Sequence, residues 1–222
     1  MSDRLDAPVP APQDSVATAA EATGAGAIVI QSVNVGLASK LAVGGGRTVL
    51  SGIRKTPASG PVAVRALGLA DDEQADLSIH GGLTKAVYAY PAEHLAFWQA
   101  ERRARGASLF DEALPPGFMG ENLTLQGLLE QQVFIGDTLH FDGSACVLRV
   151  TAPREPCGKF VAVMGFAQAA QVMVRSARCG FYLAVDTSGE LQAGMAVRIE
   201  PGARSYSIPD AIHAKWAKHR NG

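Results

Sequence analysis

Ala27-Ile-Val-Ile-Gln-Ser-Val-Asn-Val35 and Thr48-Val-Leu-Ser-Gly-Ile53, parted by a Gly44-Gly45-Gly46 hinge, decide how this chain reads. Both runs are β-branched and partly alternating, the pattern of half-buried strands rather than of an amphipathic helix. Runs of the same kind recur at 62–64, 86–90, 122–125, 138–141, 146–150, 181–185 and 196–199. Many short strands with glycine-bearing turns predict a mainly β protein, a barrel or a sandwich. Helices are fewer. One is predicted from Pro91 to a stop at Gly106, with Leu95, Trp98 and Arg102 on one face. A second covers Phe166 to Ala177, with Phe166, Ala169, Ala170, Met173 and Val174 as an apolar stripe meant for the core. A third runs from Pro209 to Lys218.

The chain of 222 residues, 47% of them hydrophobic, is long enough for one domain with a substantial core. Residues 1–26 are dominated by Ala, Pro, Thr, Ser and Gly and read as a disordered tail. The domain then spans 27–202, and 203–222 form a C-terminal tail with room for one short helix. A formal net charge of −1 leaves no general electrostatic footprint for nucleic acid or an anionic membrane. No apolar run approaches the roughly 18 residues of a bilayer span. Three cysteines without a CxxC pair, and no secretory leader, speak against a disulfide framework or a structural zinc site and for the cytoplasm.

Chemistry concentrates in Thr151-Ala-Pro-Arg-Glu-Pro-Cys157-Gly-Lys159. Pro156 and Gly158 favour a presented thiol, and Arg154 and Lys159 favour its thiolate form. A buried cysteine in a turn beside two solvated charges is the alternative from local sequence. Cys146 and Cys179, inside or beside apolar runs, read as core cysteines. In Ile79-His80-Gly81-Gly82-Leu-Thr-Lys85 the glycine pair lets backbone amides approach an anion, to which Lys85 adds charge; a hairpin corner with a surface His80 and Lys85 is the alternative. Gly120-Glu121-Asn122 brings an acceptor and an amide to a strand start, suited to positioning a ligand or a neighbouring loop. Gly136-Asp137 reads as a tight turn.

Taken in order, IHGG with KAVYAYPxEHxxxW, GENLTxxGLxExxVxIGD and RxPCxK resemble the MOSC domain family, the molybdenum cofactor sulfurase C-terminal type, and within it the stand-alone bacterial group. The resemblance covers about residues 28–200. It implies a β-barrel with a few peripheral helices, and a molybdenum cofactor (a molybdenum–pterin) with Cys157 as the protein's metal ligand. It further implies cofactor contacts from some of Lys55, Lys85, Arg154 and Lys159, with Gly81, Gly82 and Asn122 beside them. The activity implied is reduction of N-hydroxylated compounds, such as hydroxylamines and N-hydroxylated purines. His80 and Glu121 are the candidate proton donors, while His94 is expected on the surface of the following helix. Because the chain has neither an iron–sulfur cysteine cluster nor a dinucleotide fingerprint, electrons would come from a separate flavin or iron–sulfur reductase. The competing expectations are a sulfur carrier using a Cys157 persulfide, a carrier of the cofactor itself, and a barrel for some other anion. Relatives with a three-helix unit after the domain differ from this chain, which has about 20 residues after Pro201.

Overall fold

The computed structural model describes residues 26–75 and 81–220. The strands are β1 (Val29–Val35), β2 (Ser39–Val43), β3 (Arg47–Ser51), β4 (Thr56–Pro57), β5 (Val62–Arg65), β6 (Gly68–Leu69), β7 (Val87–Pro91), β8 (Leu123–Gln126), β9 (Thr138–Phe141), β10 (Val147–Pro153), β11 (Phe181–Thr187), β12 (Gly189–Leu191) and β13 (Val197–Glu200). The helices are α1 (Leu95–Ala104), α2 (Gly158–Met164), α3 (Ala169–Ser176) and α4 (Ile208–Arg220). The protein is mostly β, as its sequence predicts.

Eight strands form one sheet in the order β13-β9-β10-β11-β7-β8-β1-β4, antiparallel except for the β7–β8 pair. The expected barrel is not closed by a regular ladder. β1 meets the β13 end instead at one antiparallel bridge between Val29 and Ala196, where Ile30 N donates to Met195 O at 3.0 Å and Val197 N to Ile28 O at 2.8 Å. Two small sheets, β12-β5-β6 and the β2–β3 hairpin, flank it. β7 is buried along its whole length, as a strand covered on both faces must be.

One transverse row of this sheet prepares the site. Ala152 of β10 pairs with Tyr182 of β11, and Tyr182 pairs with Tyr88 of β7. Beyond Tyr88, Asn122 N donates to Tyr88 O at 2.8 Å, and Asn34 N of β1 donates to Asn122 O at 2.7 Å. Side chains in such a row are neighbours whatever their separation along the chain.

Several expectations are corrected. The glycine hinge is the turn of a hairpin, with Gly45 and Gly46 at φ of 76° and 69°, and β2 before it was not foreseen. The strand read to Ile53 ends at Ser51. Helix α2 begins directly after Cys157, its N-cap residue, where sequence promised only a turn. His94 is buried rather than on a surface: its Nε2 lies 2.7 Å from Glu130 Oε2, and Glu130 Oε1 accepts from Gly180 N at 2.8 Å. In the 203–222 segment, where a helix from Pro209 to Lys218 is expected, α4 docks through buried Ile208, Ala211 and Ile212 and starts with reciprocal bonds between Ser207 and Asp210. The expected tail before residue 26 lies outside the described residues. None of the described helices is long and apolar enough to cross a membrane.

Two contacts hold helix α2 against α1. Phe160 is fully buried, edge-on to Trp98 of α1 with centroids 5.4 Å apart. Arg102 Nη1 donates to Val163 O and Met164 O at 2.8 Å, meeting carbonyls that the last helical turn leaves unbonded. Since Cys157 caps this helix, Phe160 indirectly places the thiol. We expect Phe160→Ala to cost about 3–5 kcal/mol in urea unfolding; a loss below about 1 kcal/mol would show that α2 is anchored elsewhere.

Candidate active site

The N-terminal end of α2, the transverse row and two loops enclose a cavity of about 90 Å³. Lys55, Lys85, Arg154 and Lys159 line it, against the carboxylates of Asp72 and Glu73. Cys157, half-buried, stands in the wall, and Tyr88 and Tyr182 supply aromatic surface with ring centroids 5.4 Å apart. The excess of cations suits an anionic group of about phosphate size. The chain from 76 to 80, which follows the wall residue Ala75, lies outside the described residues.

Arg154 is buried at 4% exposure. Its guanidinium stacks over Phe160 at 4.7 Å and Tyr88 at 5.6 Å, and it interacts electrostatically with Cys157. A planar, weakly hydrated cation is the one suited to such a stacked, buried place. Burial pushes the hydroxyls of Tyr88 and Tyr182 above the usual tyrosine range, opposed by Arg154, so both rings remain neutral walls.

Lys55 sits differently from the expected cofactor cation. It forms an ion pair with Asp72, their side chains 6% and 3% exposed. Asp72 also accepts from Gly36 N at 3.0 Å and from Asn122 Nδ2 at 2.9 Å. Burial draws the Lys55 ammonium below the ordinary lysine value, and Asp72 only partly offsets this. Asp72 escaped the sequence reading, because nothing local in Asp71-Asp72-Glu73 tells which carboxylate turns inward.

The remaining candidates divide plainly. Asn122 lines the cavity, yet its Nδ2 serves Asp72 and Asn34 O while its Oδ1 accepts from Tyr88 N at 3.1 Å, so its side chain is engaged in tying strands together. Lys85 lines the cavity with Nζ 5.6 Å above the Tyr182 ring. Gly81 and Gly82 stand outside the described wall; Gly82, at φ 81°, starts a single 3-10 turn, Leu83–Lys85, and its N donates to Gln74 Oε1. His80 lies outside the described residues. Glu121, expected as a proton donor, is not among the residues that line the cavity. It is fully buried, away from the cavity wall, and its carboxylate accepts from Gly117 N, Met119 N and Thr124 Oγ1 at 2.7–3.0 Å. Burial raises its pKa, those donors opposing, and its work is to hold the loop that brings Met119 and Gly120 to the cavity.

Asp137 is a buried turn anchor, accepting from Phe134 N and Gly202 N. The three cysteines form no disulfide. Cys146 and Cys179 are core residues, and burial pushes the Cys146 thiol up to about 12 and raises the Cys179 thiol as well. Of the three, Cys157 alone lines the cavity.

We expect Asp72→Ala to destabilise the protein by about 3 kcal/mol at pH 7, because a buried ammonium is left unpaired. Lys55 then titrates still lower in the folded state. Between that lowered value and 10.5 the unfolded chain binds the extra proton, so stability rises with pH and is lost as pH falls through the folded value. Urea unfolding should therefore find the loss smaller at pH 9 than at pH 7; an equal loss would remove Lys55 as its source.

A family model, the MOSC domain, matches residues 76–198. The protein YflK of Bacillus subtilis strain 168 is 34% identical over 193 residues, covering 86% of this chain and 82% of that one. A protein named Reductase from Gibberella moniliformis is 31% identical over 85% of this chain, which spans only 30% of that longer protein. Among solved structures, YiiM from Geobacillus stearothermophilus superposes with a TM-score of 0.66 at 28% identity, covering 86% of this chain and 85% of that one. The chain therefore belongs to the MOSC domain family, whose members are associated with binding of the molybdenum cofactor.

Proposed function

We propose that the protein is a molybdenum-cofactor-dependent oxidoreductase that reduces N-hydroxylated compounds with electrons from a separate flavin or iron–sulfur reductase. The observation that carries this reading is the place of Cys157, a half-buried thiol in the wall of a cavity rich in cations. The donor set fits the group. Thiolate is a suitable ligand for a sulfur-rich metal centre, and Lys85, Arg154 and Lys159 suit its phosphate. Among the described residues no cluster of three or more His, Cys, Asp or Glu could hold a metal ion by itself, so the cofactor's own sulfurs would complete the set around Cys157.

When bound, the cofactor would supply a centre able to pass two electrons to the substrate. In the net reaction the N–O bond breaks, two electrons and two protons enter, and the amine and water leave. The chain's own part is binding and proton supply. Arg154, fixed between two rings, holds positive charge beside Cys157 whatever the pH. Tyr88 and Tyr182 keep part of the wall dry, which strengthens every charge interaction near it. Lys55, its pKa lowered by burial, is the acid of this wall that gives up a proton more readily than an ordinary lysine, and Asp72 holds it in place.

The test is protein purified from a cofactor-competent host beside Cys157→Ala, with molybdenum and pterin measured in both. Each is then assayed with dithionite and an N-hydroxylated purine. We expect molybdenum in the parent alone, and turnover reduced by about a hundredfold or more in the variant. Metal in both proteins would sink Cys157 as the essential ligand. A parent without molybdenum but with cyanide-labile sulfur on Cys157 would replace the reductase by a sulfur carrier.

A further inference from the structure

Beside Cys157, a second hollow of about 720 Å³ opens between the β2–β3 hairpin and α2. Val43 and Val49 form one wall, and Val161, Ala162 and Phe166 the other. Cys157 and Lys159 line both hollows, so the larger one is continuous with the candidate metal ligand. Gly158 sits at this junction, and a Cβ built on it would meet nothing within 4 Å, so the space beside the thiol is open on this side. The charged side chains of the larger hollow are Arg47 and Lys159; no carboxylate lines it.

We propose that this hollow is the subsite for the apolar body of the substrate, with the reducible N–O group directed to the Cys157 edge; the inference rests on the reductase reading above. The volume is that of a site for a molecule of a few rings. Apolar walls reward a flat body at about 25 cal/mol per Å² removed from water, which bare hydroxylamine cannot collect. Two cations without a carboxylate favour neutral or anionic bodies and repel cationic ones. The subsite thus sorts N-hydroxylated compounds by what carries the group. It also divides labour at Cys157: the small cationic cavity takes an anion, and the large apolar hollow takes the substrate.

Val49 of the hairpin and Ala162 of α2 both line the hollow, and neither belongs to the packed core, so bulk can be added at either without emptying the interior. The experiment uses Val49→Trp and Ala162→Trp beside the parent, with two readouts. The first is binding of 8-anilino-1-naphthalenesulfonate, a flat aromatic anion, to the protein without cofactor, followed by its fluorescence. The second is the ratio of kcat/KM for phenylhydroxylamine to that for hydroxylamine, with holoprotein and dithionite.

We expect the dye's Kd to rise and the substrate ratio to fall, each by about tenfold or more, in at least one folded variant. Dye binding and ratio both unchanged in every folded variant would overturn the subsite. So would a variant that loses turnover with a protein reductase while keeping it with dithionite at an unchanged ratio, because the hollow would then be a docking face for the electron donor. If the parent reduces neither compound while both variants lose the dye, the apolar subsite stands and the reductase reading fails.

Discussion

A buried ammonium is tolerated only where its charge is met, and the Lys55–Asp72 pair is the constraint around which this cavity is organised. Asp72 reaches it from a loop, and the same carboxylate gathers Gly36 N from the end of β1 and Asn122 Nδ2 from the start of β8. Asn122 passes the connection to β7 through Tyr88 N. Four separate stretches of chain thus meet at one charge, and the wall of the cavity is the surface of that junction. Lys55, expected to reach for a ligand, has half its work turned inward.

The two aromatic walls and the buried arginine obey the same economy. Tyr88 OH donates to Cys179 O at 2.8 Å, so its ring can present a face to the cavity while its polar tip is satisfied in the core. Arg154 finds its neighbours in rings and in the sulfur of Met173, 3.8 Å from Nη1. The thiol of Cys157 is placed by covalent attachment to a helix whose Phe160 is locked in the core. Rigid elements therefore carry the groups that would touch a cofactor, as a precise site requires.

Much of this was legible in the sequence, for identifiable reasons. Long β-branched runs announced the sheet because period-2 burial writes itself directly into residue order. Cys157 stood out through Pro156, Gly158 and its cations, and the motif set named the family. Of the strands that escaped, β4, β6 and β12 have only two or three residues, and their pairing is decided by tertiary neighbours rather than by pattern, while the five residues of β2, Ser-Lys-Leu-Ala-Val, carry one β-branched side chain. Helix α2 escaped because its valine-bearing, glycine-led seven residues have weak propensity; packing of Phe160 and the Arg102 bonds make it a helix. Asp72, His94, Glu121 and Glu130 were illegible in role, since polar residues reveal their type in sequence but not the direction in which they point. Register, which set Tyr182 beside Tyr88, appears in no local pattern at all.

The bridge between Val29 and Ala196 carries a consequence for the history of each molecule. β1 is made early and β13 late, so during synthesis the first strand must wait for its partner with one edge unpaired. β4, which pairs only with its last two residues, follows closely, but β8 along its opposite edge also arrives long after it. Loop closure over such distances is slow, and the row Tyr182–Tyr88–Asn122–Asn34 is complete only once these distant pairings exist. A newly made chain would therefore acquire its cavity among the last events of folding, and a cofactor would meet either a finished pocket or none.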